Sequence, residues 1–177
     1  WKESLVYSFC SQSNCADGQT PMAGLLADST GALYGTTRAG GTISDDCPDG
    51  GDGCGVLFKL VPGKSPKETV LHAFCSVAAC KDGMHPTMAD LMIDNSGALY
   101  GTTEYGGTGS DVDLPGSAGG VLFRYGADGQ YQVLHSFCSK ANCSDGGRPN
   151  AGVIMDADGA LYGTTLERGP TLNGGTV

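Results

Sequence analysis

The sequence is poor in basic and aromatic residues, and it has no long apolar run. Ten lysines and arginines stand against 19 aspartates and glutamates, which gives a net charge of −9. A chain of this sign repels a phosphate backbone, so nucleic acid is excluded as a partner class. The longest apolar runs have about five residues, far short of the roughly 20 that a membrane-spanning helix needs. We therefore predict no membrane span.

Runs of helix-forming residues are scarce as well. Instead, 30 glycines separate short stretches that are rich in valine, threonine and tyrosine, a composition typical of strands joined by tight turns. With 177 residues, 40% of them hydrophobic, the chain is large enough to bury a core. The sequence therefore predicts an all-β fold. No secretory leader precedes Trp1, and we expect a mature or excised chain.

The eight cysteines fall into close pairs, which are Cys10 with Cys15, Cys47 with Cys54, Cys75 with Cys80, and Cys138 with Cys143. Three of these pairs recur at one place in a repeated sequence, with four residues between the cysteines. Such pairs are disulfides in an oxidising compartment and metal ligands in a reducing one. A zinc site needs a second pair that converges with the first, and these pairs lie far apart in the sequence. Disulfides are therefore predicted, and with them an extracellular or cell-surface location.

The repeated sequence has two strong landmarks. The dipeptide Phe-Cys occurs at Phe9 and recurs after 65 and then 63 residues. The pentapeptide LYGTT begins at Leu33, Leu99 and Leu161. Periods of this length are typical of repeat arrays and propellers. We predict a single repeat array over residues 1–177, with repeats at about 3–67, 68–130 and 131–177.

Each repeat carries four strand signals. A short apolar segment after a proline comes first, ALYGTT second, a GVLF segment third, and an alternating segment such as ETVLHAF (residues 68–74) fourth. Asp/Gly turns join the first two, and the fourth is apolar on both faces, as in a strand between two packed sheets. Tandem four-stranded antiparallel blades of this kind predict a β-propeller, with a β-solenoid or an open superhelical array as the alternative.

The chain enters this pattern at a fourth strand, Ser4–Phe9, and leaves it at the start of a third strand, Gly174–Val177. The last repeat is thus incomplete, and the N-terminal strand of the same chain or of a neighbour would complete it. Contacts of that kind between subunits close a ring or propagate a filament. We expect self-association through these two strands, or pairing with further repeats of a longer chain.

The unit DxxGALYGTTxxGG, followed by GVLF and VLHSF, resembles the tandem repeat of the choice-of-anchor GloVer-containing proteins of bacteria. The resemblance covers nearly the whole chain, because the motif occurs three times. It implies a secreted, cell-surface array whose members end in sorting or anchoring tails, and it implies no established enzymatic role. This chain departs from the usual form because it has no anchor segment and because it adds the CxxxxC pairs and the CPDGGDGC loop.

Two of the three histidines share one position of the repeat. These are His72 and His135, and the first repeat has Tyr7 at that place. A catalytic base is normally unique and has a partner within hydrogen-bond reach, so this recurrence favours packing. The remaining histidine, His85, lies in a DGxxP loop opposite Gln19 and Arg148. Because the chemistry varies there, His85 and Arg148 are candidate ligand contacts.

Aspartates are the other candidates. The loop around the second cysteine pair offers oxygen ligands for calcium, the one candidate cofactor, at Asp45, Asp46, Asp49 and Asp52. It lacks the ordered spacing of an EF-hand, so a solvated, disulfide-closed loop is the alternative. Three further aspartates each precede a Gly turn, where an Asp side chain commonly caps the turn amides; these are Asp28, Asp94 and Asp156.

No catalytic residue is predicted. The sequence has neither a GxSxG elbow nor a glycine cluster that opens a helix as a phosphate loop does. The first hypothesis is therefore a non-enzymatic extracellular structural or adhesive protein that assembles head to tail. The second is a glycan- or peptide-binding propeller that uses the loops at residues 42–53 and 108–119. The third is a propeller hydrolase or lyase.

Overall fold

The computed structural model describes residues 3–47, 51–109, 118–169 and 174–177. Over these residues the protein consists of β-strands and short 3-10 turns, so the all-β prediction is confirmed. The strands are β1 Leu26–Ala27, β2 Leu33–Thr37, β3 Val56–Val61, β4 Lys67–Ala73, β5 Met84–Pro86, β6 Met92–Ile93, β7 Leu99–Tyr105, β8 Val121–Tyr125, β9 Tyr131–Ser136, β10 Gly147–Pro149, β11 Ile154–Met155, β12 Leu161–Tyr162 and β13 Thr165–Glu167. The 3-10 turns lie at Ser13–Cys15, Ala78–Cys80 and Ala141–Cys143. None of the helical segments in these residues has the length and apolar character needed to cross a bilayer.

The first sheet has the order β1-β2-β3-β4, and all its pairs are antiparallel. It is buried on both faces, because successive residues of a strand point to opposite sides. Val56 and Phe58 belong to one core cluster, whereas Leu57 between them belongs to another. The sheet includes β4, so it crosses the repeat boundary expected after residue 67.

The second sheet repeats this order through β7, β8 and β9. Its first strand, β6, lies where the sequence predicted it and pairs with one end of β7. A strand that was not predicted, β5, pairs with the other end of β7. Strand β5 escapes prediction because it has three residues, one of them proline, and therefore no alternation to detect.

The third repeat forms two strand pairs in the described residues, β10 with β13 and β11 with β12. Near Val177, the backbone of Thr176 pairs with Thr165 in the register of a third strand. The Thr165 amide donates to the Thr176 carbonyl at 3.0 Å, and the Thr176 amide donates to Thr165 Oγ1 at 2.9 Å. In the second sheet the Val121 amide donates in the same way to Thr103 Oγ1, at 3.2 Å. Thr176 is therefore the third repeat's counterpart of Val121.

The segment Ser4–Phe9 forms no strand within the described residues. Among these residues it does not pair with the last repeat of its own chain, and its pairing with a neighbouring copy stays a prediction. The segment instead lies on the first sheet, where Phe9 packs edge-on against Phe58 with ring centroids 4.8 Å apart. Leu5 is left 83% exposed.

The glycine of LYGTT makes room for a phenylalanine on the next strand. Gly101 pairs with Phe123, and a Cβ on Gly101 would stand 2.6 Å from Phe123 Cζ. Gly35 and Phe58 have the same relation, at 2.7 Å. These glycines therefore allow an aromatic ring of the same sheet to approach the backbone closely. Both rings are almost fully buried in the core.

Candidate functional site

The eight cysteines form four disulfides within the chain, and the bonds join the pairs that the sequence suggests. Separation along the sequence does not mean separation in space, however. The sulfur atoms of Cys54, Cys75 and Cys80 lie within 4.8 Å of one another, so two disulfides are direct neighbours. Both are buried. Their contact packs the loop of the first repeat against the cysteine loop of the second.

The candidate calcium ligands lie in and beside the loop that the Cys47–Cys54 disulfide closes. Asp49 is outside the described residues. Among the described residues, Asp45, Asp46 and Asp52 do not bring three oxygen atoms within 4.8 Å of one another. Asp46 Oδ2 instead accepts a hydrogen bond from the Ala79 amide at 2.9 Å, which ties the loop to the second repeat. Calcium binding by this loop stays a prediction.

His85 and Arg148 occupy equivalent backbone positions, as the sequence suggested. Their counterpart in the first repeat is Thr20 and not Gln19, because Thr20, His85 and Arg148 share positive φ values of 59°, 52° and 54°. His85 is 1% exposed, and its Nε2 lies 3.9 Å from Cys47 Sγ. Its ring therefore packs against the second disulfide below the surface.

Arg148 belongs to a chain of charges that links the three repeats. Its Nη2 donates to Glu104 at 2.6 Å, and Arg38 Nη1 donates to the other oxygen of Glu104 at the same distance. Arg148 Nη1 also donates to Glu167, at 2.7 Å, and its guanidinium lies over the Tyr105 ring. Burial disfavours the charge of Glu104, but the two arginines hold the pKa of its carboxyl below the usual value. The arginine therefore serves contacts between repeats.

Asp82 holds the cysteine loop of the second repeat in place. Its Oδ2 accepts hydrogen bonds from the Ser76 amide and hydroxyl at 3.0 and 2.7 Å, and His72 Nε2 lies 3.1 Å from the same oxygen. Asp82 is 3% exposed. Burial opposes its charge, but the bonds from His72, Ser76 and the Val77 amide keep its pKa below the usual value. His72 is therefore part of a structural contact.

The same contact recurs in the other repeats. Tyr7 donates its hydroxyl to Asp17 Oδ2 at 2.8 Å, and His135 Nε2 lies 3.4 Å from Asp145 Oδ2. A serine two residues before the 3-10 turn completes each contact, as Ser11 does with its hydroxyl at 2.7 Å from Asp17. The tyrosine or histidine at this position of the repeat thus holds the following cysteine loop in place in all three repeats.

The turn aspartates do what the sequence suggests. Asp94 Oδ1 accepts from the Ser96 hydroxyl and amide and from the Ala98 amide, at 2.6 to 3.0 Å. Its Oδ2 accepts from the Tyr100 hydroxyl at 3.0 Å. The Ser96 hydroxyl is the main reason that the pKa of Asp94 falls to about 2. Asp28 and Asp156 make equivalent contacts.

The feature that the folding contacts leave open is the outer surface of the third repeat. A cavity of about 310 Å³ lies beside Gly163, between Val153, Phe137 and His135, and it reaches Val177. The corresponding space in the second sheet, over Gly101, is filled by Phe123. We call this space the socket. In each repeat it lies over the glycine of LYGTT and beside the phenylalanine that follows the preceding fourth strand.

Sequence reasoning did not single out Phe137 and Gly163. The LYGTT glycine becomes meaningful only through its pairing in the sheet, where Gly35 lies opposite Phe58 and Gly101 lies opposite Phe123.

Residues 2–177 match the family model described as the Gloeobacter/Verrucomicrobia repeat. The match covers all three copies of the LYGTT motif and confirms the resemblance to the GloVer repeat. No curated protein matches the chain.

Proposed function

The chain belongs to the Gloeobacter/Verrucomicrobia repeat family, and we propose that it is a non-enzymatic extracellular structural or adhesive protein that assembles through its repeats. One observation carries the proposal, namely that the aromatic contacts at consecutive sheets follow one rule. The phenylalanine that precedes a sheet packs edge-on on that sheet's own phenylalanine, as Phe9 does on Phe58 and Phe74 on Phe123. Phe74 directly follows the last strand of the first sheet, so its contact joins the first sheet to the second.

The repeats form the blades of a β-propeller. Support comes from the inner edges, where equivalent positions of different repeats meet. The Gly24 amide donates to Asp90 Oδ1 at 2.8 Å, and a Cβ on Gly152 would stand 2.8 Å from the Asp90 carbonyl oxygen. Arg38 and Arg148, from the first and third repeats, both bind Glu104 of the second. Edges that converge in this way favour sheets arranged around a common axis.

The absence of enzymatic activity rests on how the polar residues are used. The histidines beside carboxylates, His72 and His135, serve the recurring loop contact. A catalytic site is normally unique within a chain, whereas this arrangement is repeated with each blade. The extracellular location rests on the disulfides, which persist in oxidising compartments.

Assembly joins the unpaired segment Ser4–Phe9 of one copy to the Gly174–Val177 edge of the next. Support comes from the register of the edge, where Thr176 stands at the place of Val121, and from the exposure of Leu5. Val121 pairs with Ser136 of the fourth strand, and Ser8 is the counterpart of Ser136 in the N-terminal segment. A head-to-tail contact of this kind propagates or closes a ring.

Light scattering after size exclusion, together with electron microscopy, tests the assembly. We expect rings or filaments whose formation is lost in Leu5→Glu, because that variant places a charge on the segment that must pair. Val77→Glu is the matched control, since Val77 is also an exposed apolar residue but lies on a cysteine loop. A strictly monomeric chain at high concentration would contradict the proposal.

A further inference from the structure

Two disulfides and a histidine form one buried cluster where the first repeat meets the second. The sulfurs of Cys47 and Cys54 and an imidazole nitrogen of His85 lie within 4.8 Å of one another, and so do the sulfurs of Cys54, Cys75 and Cys80. All five side chains are buried, and we call these five residues the sulfur cluster. The sequence argued against a zinc site because the cysteine pairs lie far apart along the chain, and the fold removes that objection.

The separations in the sulfur cluster fit a tetrahedral metal ion. Zinc binds thiolate sulfur at about 2.3 Å and imidazole nitrogen at about 2.0–2.1 Å, which places the ligand atoms roughly 3.5–3.8 Å apart. Cys47 Sγ lies 3.9 Å from His85 Nε2, and Cys54 Sγ belongs to both groups of atoms within 4.8 Å. Small side-chain rotations would therefore bring four of these atoms to bonding distance of one ion.

The redox state of the sulfurs decides whether they can bind a metal. They are bonded in pairs in this structure, and a disulfide sulfur has no thiolate to offer. Each disulfide can take up two electrons and two protons from a dithiol, which is oxidised to its own disulfide. Zinc then displaces the protons of the thiols that it binds, whereas a neutral imidazole binds through the lone pair of a ring nitrogen. The site therefore belongs to the reduced chain.

Hydrogen bonds that do not involve the sulfurs hold the ligands close together. The Ala79 amide donates to Asp46 Oδ2 and the His85 amide donates to the Cys54 carbonyl, both at 2.9 Å. Asp82 fixes the cysteine loop of the second repeat through the amide and hydroxyl of Ser76. Because these contacts do not depend on the disulfides, the ligands stay near one another when the sulfurs are reduced.

We propose that the sulfur cluster is a zinc site of the reduced chain. The ligands are Cys47, Cys54, His85 and one sulfur of the Cys75–Cys80 pair. Three thiolates and a neutral imidazole leave one negative charge on the complex, whereas four thiolates leave two, and the smaller charge costs less to bury. Thiolate ligands also select zinc over calcium and magnesium. The ion joins the first repeat to the second, whereas each disulfide closes a loop within one repeat.

The cysteine pair of the third repeat serves as an internal control. Cys138 and Cys143 have no second pair to meet, because the loop at residues 108–119 contains no cysteine. The backbone position of His85 is taken there by Arg148, whose guanidinium pairs with Glu104 and is no metal ligand. Two thiols alone do not complete a tetrahedral site, so this pair should not bind zinc tightly.

The test adds zinc or cobalt(II) to the 177-residue chain after reduction with a water-soluble phosphine. The phosphine becomes a phosphine oxide by taking oxygen from water, and it does not compete for zinc as a dithiol would. We expect one zinc ion per reduced chain in competition with a chromophoric chelator, and none for the oxidised chain. Cobalt(II) should give the intense visible absorption of tetrahedral coordination and a thiolate charge-transfer band. No binding, or the weak absorption of octahedral cobalt, would overturn the proposal.

Substitutions separate the sulfur cluster from cysteines in general. His85→Asn should lower the zinc affinity at least about tenfold, the loss that even the outer-shell partners of metal ligands cause. Asparagine tolerates the positive φ of 52° at this position. The matched control is the double variant Cys138→Ser with Cys143→Ser, which should keep the full affinity. An unchanged affinity in His85→Asn, or a loss of zinc in the control, would contradict the assignment of the ligands.

A readout of folding covers the case in which reduction unfolds the chain. Zinc should raise the midpoint of thermal unfolding of the reduced chain and leave that of the oxidised chain unchanged. If the reduced chain is unfolded without metal, zinc must restore the circular dichroism of a β-sheet protein, as metal does in small zinc domains. A zinc complex without β-structure would show that flexible thiols alone bind the ion, and it would overturn the proposal.

The zinc site does not rest on the assembly proposed above. A chain that binds zinc in the reduced state and stays monomeric contradicts the head-to-tail contact and leaves the sulfur cluster as proposed.

Discussion

At the scale of single residues, buried carboxylates have two contrasting environments. Asp17 and Asp82 are buried, and several hydrogen-bond donors stabilise their charged forms. Glu68 has the opposite environment, because its Oε1 is buried without a hydrogen-bond partner in the described residues. Glu68 stands where the second sheet has Tyr131, since both residues precede the bulge at the same register.

The substitution Asp82→Asn should destabilise the protein. It removes the charge that Ser76 and His72 bind, and hydrogen bonds to a buried charged group contribute about 2–3 kcal/mol. Since the pKa of Asp82 is lowered in the folded state, its contribution is present above the unfolded pKa and is lost as the pH falls through the folded value. Urea unfolding at neutral and acidic pH measures both effects. Asp128→Asn is the control, because Asp128 is exposed and accepts a hydrogen bond from the Gln130 amide in a surface turn. Equal effects of the two substitutions would refute the role of Asp82.

Glu68→Gln should have the opposite sign and the opposite pH dependence. Burial and then the charge of Asp17 raise the pKa of Glu68 to about 7. The stability that comes from its protonated form is complete below the unfolded pKa, about 4.3, and is lost as the pH rises through 7. The amide should therefore raise the free energy of unfolding at pH 8 by ~1 kcal/mol after solvent screening, and change little at pH 4.

Urea unfolding of Glu68→Gln at these two pH values decides the matter. Glu3→Gln serves as the control, because Glu3 is exposed. A stabilisation that is the same at both pH values would mean that the carboxylate charge is not its cause.

At the scale of strands, the alternation of apolar residues was enough to predict four strands per repeat, and β1 to β4 and β6 to β9 lie where it placed them. Two features escaped because they depend on other parts of the fold. Strand β5 exists because the cysteine loop delivers three residues to the end of β7. The segment Ser4–Phe9 has the sequence of a fourth strand, but no strand pairs with it among the described residues.

The LYGTT glycines give a prediction at this scale. Gly101→Ala should cost ~1–3 kcal/mol, because the methyl group overpacks against Phe123 and Leu91. Gly31→Ala is a control for glycine loss in general, since a Cβ there meets nothing within 4 Å, although its φ of 84° adds backbone strain. Gly163→Ala in the same 177-residue chain should cost less than Gly101→Ala. Thermal and urea unfolding measure the stability of each variant. A larger loss of stability for Gly163→Ala than for Gly101→Ala would contradict the prediction.

At the scale of the whole molecule, the repeats are held together by contacts that no local sequence pattern reveals. The Arg38, Glu104 and Arg148 side chains come from three different repeats, and each is found at a position where its counterparts differ. The sequence showed the repetition but not which faces meet. The sequence suggested His85 and Arg148 as ligand contacts, and it did not show that His85 lies beside a disulfide and that Arg148 forms ion pairs. Ligand binding by either residue stays a prediction.

The substitution Glu104→Gln should loosen all three repeats together. It removes the ion pairs of Glu104 with Arg38 and Arg148, and removing one partner of a partly buried charge network costs on the order of 1–3 kcal/mol. Glu167→Gln is the control, because that side chain is 37% exposed and its ion pair within the described residues is with Arg148. The free energy of unfolding, measured at low and at high salt, should fall more for Glu104→Gln than for Glu167→Gln. Equal losses would argue against the network.

The edge-on contact between phenylalanines has a consequence for how such a gene can change. Phe74 directly follows the last strand of the first sheet and lies beside the socket of the second. The unit that repeats in the sequence and the unit that packs as a sheet are therefore offset by one strand. A tandem duplication of about 64 residues would therefore copy half of one interface and half of the next, and the two new halves would fit each other. Repeat number could then rise or fall in steps of one period during evolution, whereas a duplication of any other length would disturb the match between the phenylalanine of one unit and the glycine of the next.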